Sequence, residues 1–158
     1  MHALINPTKA FRTLRKTPHV LSHIVAPLSQ EHAITWRDGA AGWSILYILC
    51  HLRDMEALYI GRVEDILSQP NPTFRTLSND ELIRQNNYSD EQPFQTVLAE
   101  FMHRRNQLIA LLEGTVENQW LRTGIHPQQG PATLLDVAIN CGLHDVDHIE
   151  QIVSCLRS

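Results

Sequence analysis

At 158 residues the chain has the length of one domain, 1–158, and can bury a core without covalent or metal staples. A formal net charge of -4, with no basic run beyond a short patch at 12–16, excludes a nucleic-acid surface, which needs clustered Lys and Arg. No stretch approaches the ~20 apolar residues that span a bilayer, and the N-terminus has no uninterrupted apolar run, so neither membrane insertion nor secretion is expected.

Read in order, the chain is all-α, a series of helices joined by punctuated loops, with no alternating strand pattern and no internal repeat. Asn6-Pro7 starts a first helical piece. Thr17-Pro18 reads as an N-cap with proline at the first helical position of a second piece, which runs through Leu21, Ile24 and Leu28 and which Pro27 ends or kinks. His19 and His23 lie four residues apart in that piece, but no third partner is implied, and solvent-exposed or capping roles are expected.

The segment 37–42 is a loop, and Ser44 caps a long helix to about Gln69, with Trp43 stapled onto the core. Pro70-Asn71-Pro72 forces a loop. Ser78 and Glu81 form a capping box for a short helix ending near Asn86-Asn87. Asp90 and Pro93 mark the start of a helix through Phe94, Val97, Leu98, Phe101, Leu108, Leu111 and Leu112, closed by Gly114. His103, beside Arg104 and Arg105, is assigned to its polar side.

The connection from Trp120 to Thr133 is long for a bundle and holds Gly124, His126-Pro127, Gly130 and Pro131, the kind of loop that often carries function. Thr133 caps the last helix, which runs to about Leu156. The architecture expected is four principal helices with small accessory ones, whose interior suits a metal site. Cys50, Cys141 and Cys155 contain no C-x-x-C pair and are odd in number, so a reducing cytoplasm is the expected setting.

The last helix carries the strongest chemical signal. His144 and His148 are one turn apart on the same face, a spacing that suits two ligands of one ion. On a wheel with His144 at zero, the apolar residues span roughly 20° to 180° and His148 falls at about 40°, on the margin of that stripe. On the helix from Ile45 to Leu67, His51 likewise marks the edge of a stripe spanning roughly 40° to 180°. Packing the two stripes together brings three imidazoles to one point. The alternative from spacing alone is three partly buried histidines satisfied by ordinary hydrogen bonds.

Glu56 and Asp145 point into their apolar stripes, where a carboxylate is costly unless paired. Asp145 can orient His51 or another ligand. It can equally form a buried pair with an arginine such as Arg62 or Arg122. Cys141, one turn before His144, is read as a small core residue rather than a fourth ligand.

Three pieces together resemble one family. They are Gly42-Trp43-Ser44 through Cys50-His51-Leu52-Arg53-Asp54, then Arg122-Thr123-Gly124-Ile125-His126-Pro127 with Gly130-Pro131-Ala132-Thr133-Leu134, and His144-Asp145-Val146-Asp147-His148-Ile149-Glu150-Gln151-Ile152. In order and spacing they resemble the DinB superfamily, more narrowly its YfiT-like branch, from about Thr17 to Leu156. The resemblance implies a four-helix bundle, often a homodimer, in which His51, His144 and His148 bind a divalent metal such as zinc or nickel. It further implies, from the better understood members, S-transfer using bacillithiol, mycothiol or glutathione.

Three imidazoles with open positions are the catalytic kind of zinc site; a bound water or thiol there becomes a nucleophile near neutral pH. Two readings follow. One is a metal-dependent enzyme acting on a small-molecule substrate, by thiol transfer or hydrolysis, with Asp145 and His126 as candidate catalytic residues. The other is a metal- or ligand-binding bundle without turnover. An unobstructed cavity above the histidines favours the first, a plugged one the second.

Overall fold

The computed structural model describes residues 6–157, so the expected domain, 1–158, extends beyond them at both ends. Helix α1 spans Thr8–Val25, α2 Gln30–Thr35, α3 Ile45–Ser68, α4 Asn79–Gln85, α5 Phe94–Glu113 and α6 Leu134–Cys155. Side-chain caps set four of the starts, the first being that of α2, where Ser29 accepts the amide of His32. Ser44 accepts the amide of Tyr47, Ser78 and Glu81 cap each other's backbone, and Thr133 and Asp136 do the same at the start of α6. The long helices pack in a closed ring, α3 on α5 and α6, and α1 on both of those in turn.

Two expectations are corrected. The first is the break at Thr17-Pro18: α1 is one continuous helix with Pro18 inside it and Thr17 buried. A proline in a helix interior has no N–H to give the carbonyl one turn back, which here belongs to Leu14. That carbonyl instead accepts a hydrogen bond from Arg105 at 3.2 Å, so the helix continues without an orphaned acceptor.

The second is the connection 120–133, which folds into an antiparallel hairpin, β1 Thr123–His126 and β2 Gly130–Thr133, pairing His126 with Gly130 and Ile125 with Pro131. Gly130 takes a positive φ of 86° at the turn, a conformation that disfavours any side chain. The hairpin docks on the segment before α4 through reciprocal bonds, Phe74 N–H to Ile125 O at 2.8 Å and Ile125 N–H to Pro72 O at 2.7 Å. Gly124 makes this approach possible: a Cβ there would lie 2.1 Å from the Phe74 ring.

The core is divided. One apolar cluster includes Leu21, Leu52, Phe101 and Ile152, the other Leu14, Tyr59, Leu108 and Cys141. Between them, on the same four helices, lie Thr17, Glu56, Arg105 and Asp145, all buried. The interior of the bundle therefore has a polar layer at mid-height.

Candidate metal centre

His51 stands in the second turn of α3 with 5% of its surface exposed, and His144 and His148 stand half-buried on α6. The Nε2 atom of His144 lies 3.1 Å from Nε2 of His51 and 3.1 Å from Nε2 of His148. Two imidazole nitrogens on one tetrahedral zinc, each at about 2.0–2.1 Å, are about 3.3 Å apart. The three rings thus converge through the same nitrogen at nearly the spacing an ion imposes.

Protonation favours ligation as well. Burial, reinforced by the other histidines, pushes the pKa of His51 down to about 4 and that of His144 to about 3. Burial also lowers His148. Neutral rings keep their lone pairs. At His148, Nδ1 lies 2.8 Å from Oε1 of Gln151, an acceptor, so the ring proton sits on Nδ1 and Nε2 is free to bind. Three neutral, converging donors fit a divalent cation, and the open side of the group faces a cavity of about 590 Å³ lined also by Met55, Arg62, Leu77 and His126. Trp43 packs beside the His51 ring, 5.3 Å between centroids.

Asp145 does not hold a histidine in place. Its carboxylate accepts hydrogen bonds from Arg105, Nη1 at 2.7 Å and Nη2 at 2.9 Å, and another from the Thr17 hydroxyl. Glu56 accepts from Nε of the same arginine at 2.9 Å and from its Nη2. Neither Arg62 nor Arg122 is the partner; Arg122 donates to the carbonyls of Leu67 and Gln69 at the end of α3. Arg105 also leaves the polar side expected for it, being 1% exposed. Its place was readable, because Phe101, Arg105, Leu108 and Leu112 continue one stripe at spacings of four, three and four.

Cys141 sits within this layer, its sulfur 3.4 Å from Nη2 of Arg105, and is absent from the converging group. Its thiol is pushed well up by burial. His19, His23 and His103 are exposed.

His126, at the end of β1, lines the cavity with the three histidines. Its Nδ1 accepts from the backbone N–H groups of Gln128 and Gln129, both at 3.2 Å, so the neutral ring carries its proton on Nε2. Burial and the nearby Arg62 charge lower its pKa. In this tautomer the His126 ring can donate only from Nε2.

A ring of four helices around a polar layer, with three imidazoles meeting at the cavity, defines a helical bundle with a three-histidine centre. The chain belongs to the DinB superfamily, whose family model matches residues 13–152. No curated protein matches it. Among solved structures it is similar to YfiT from Bacillus subtilis, described as a probable metal-dependent hydrolase with an unusual four-helix bundle topology. There the TM-score is 0.86 at 20% identity, covering 99% of this chain and 90% of that one. It is also similar to a mycothiol-dependent maleylpyruvate isomerase, with TM-score 0.77 at 9% identity over 93% of this chain and 61% of that one. At these identities the likenesses establish the fold.

Proposed function

We propose that the protein is a divalent-metal-dependent enzyme that transfers a low-molecular-weight thiol, bacillithiol, mycothiol or glutathione, to a small electrophilic substrate. The observation that carries this reading is the convergence of three neutral Nε2 atoms beside an open cavity. On this reading His51, His144 and His148 hold the ion, zinc or nickel. Bound there, the ion supplies Lewis acidity that favours the deprotonated form of a thiol or a water.

The chain's own residues do the rest. Gln151 fixes the tautomer of His148, and the Arg105 layer ties α6 to α3 so that the rings keep their spacing. His126 offers its Nε2 proton to the substrate. In the transfer an S–C bond forms, the bond from that carbon to its leaving group breaks, and the thiol proton passes to solvent.

The open cavity supports turnover over a bundle that only binds metal or ligand. A second reading, metal-dependent hydrolysis with water in place of the thiol, is supported by the description of YfiT. A homodimer is proposed, supported by exposed Ile139, Leu143 and Val146 on one side of α6. Residence in the reducing cytoplasm is proposed because Cys50, Cys141 and Cys155 are free and buried. Among the described residues no helix is long and apolar enough to cross a membrane.

The test is metal analysis of the purified protein together with a screen of the three thiols against an aryl halide electrophile. Stoichiometric zinc or nickel and metal-dependent consumption of one thiol are expected. His148→Ala should lose most of the metal while keeping its helices. A variant that binds metal as tightly as the parent removes His148 from the ligand set.

A further inference from the structure

Among the described residues, Arg62 on α3 is a cation without a paired carboxylate. Its Nε is buried with no hydrogen-bond partner. Its position is nevertheless fixed: the guanidinium carbon lies 5.2 Å from the centroid of Tyr59 and 5.6 Å from that of Phe74. These ring contacts use no N–H of the group, so its Nη N–H groups are left for an acceptor from outside. Burying an unpaired charge is costly, so a guanidinium that the fold half-buries and holds still is set for a counter-ion from outside.

Where that counter-ion would sit is defined by the cavities. Arg62 lines the cavity of the three histidines and an adjoining one of about 400 Å³; the two share Met55, Arg62, His126 and His144. His126 brings a second donor to the same walls. Of the acids there, Glu81 already accepts from the N–H and hydroxyl of Ser78, at 2.8 and 2.9 Å, and Asp147 lines only the second chamber.

We propose that Arg62 and His126 form an anion-receiving subsite beside the three-histidine centre, so that one of the two substrates carries a carboxylate set back from its reacting atom. This deepens the metal-enzyme reading and rests on it for the identity of the reacting centre, but the subsite is measured separately. The carboxylate belongs either to the thiol, as it does in glutathione and bacillithiol, or to the electrophile.

Calorimetric titration of the full chain as purified, with metal content read on the same samples, tests this using succinate and its uncharged diamide as probes. The wild type should bind succinate at least tenfold more tightly than the diamide, about 1.4 kcal/mol. Arg62→Gln should abolish that preference with metal content unchanged, and Arg62→Lys should restore part of it. A preference absent from the wild type, or kept by Arg62→Gln, overturns the subsite. If Arg62→Gln does not fold, the Arg62 Nε–H resonance of the wild type decides: it should shift on adding succinate, and an unmoved resonance refutes the proposal. Mercaptopropionate binding tenfold more tightly than mercaptoethanol, in the wild type only, assigns the carboxylate to the thiol; equal binding assigns it to the electrophile. Protein that binds succinate through Arg62 but holds no metal would remove the metal-enzyme reading and leave the subsite standing.

Discussion

Arg105 makes the hydrogen bond that Pro18 cannot: its Nη1 lies 3.2 Å from the carbonyl of Leu14, the oxygen that an amide at position 18 would have taken. The same guanidinium reaches Glu56 on α3 and Asp145 on α6, so one side chain of α5 touches the other three long helices.

Arg105→Met should therefore be severe. It strands two buried carboxylates and one carbonyl, and breaking a buried pair by removing one partner costs about 3–5 kcal/mol. Urea unfolding followed by circular dichroism would show it. A loss under about 1 kcal/mol would mean that the layer does not hold the helices together.

The metal-free protein should weaken in acid, and the sign follows from the histidines. Their folded pKa values are lowered, to about 4 for His51 and about 3 for His144, below an unfolded value near 6.5. The unfolded chain then binds protons the folded one refuses. The stability held above pH about 6.5 is lost as pH falls toward those folded values. Thermal melts of chelator-treated protein between pH about 7 and about 4 should show a falling midpoint, and His144→Ala should flatten that fall. A midpoint independent of pH in both proteins would contradict the burial of neutral rings.

His126→Ala should reduce turnover at least tenfold, about 1.4 kcal/mol of barrier, once an active substrate pair is in hand, with metal content unchanged. Unaltered kinetics would make the hairpin a connector.

Gly124→Ala puts a methyl where the Phe74 ring now lies, 2.1 Å from the new carbon. Either the hairpin lifts or the ring turns, and overpacking of this kind costs about 1–3 kcal/mol. Substrate affinity should fall with stability, since the Arg62 guanidinium carbon lies over the Phe74 ring, 5.6 Å from its centroid. Full stability and affinity in the variant would mean the docking is looser than the structure shows.

The parts of this molecule that sequence revealed are those decided locally. Ser44, Ser78 and Thr133 announce helix starts because a cap acts over three residues, and His51, His144 and His148 mark stripe edges because a wheel needs only one helix. Pro18 misled because its missing donor is compensated by Arg105, 91 residues after the Leu14 acceptor, a contact no window sees. Arg105 was hidden by its charge, although it lies on its helix's apolar stripe. The hairpin escaped because four-residue strands containing Gly124 and Pro131 have no room for alternation; their register is set by contact with 72–74.

The three imidazoles stand on long helices locked by a buried arginine, whereas Thr76, Leu77 and His126 on the cavity wall come from short segments docked onto them. Descendants of such a chain can exchange the short segments, and with them the shape a visitor must have, while leaving the reactive centre untouched. One ancestral bundle can in this way diversify its chemistry by re-tailoring its rim rather than rebuilding its pillars.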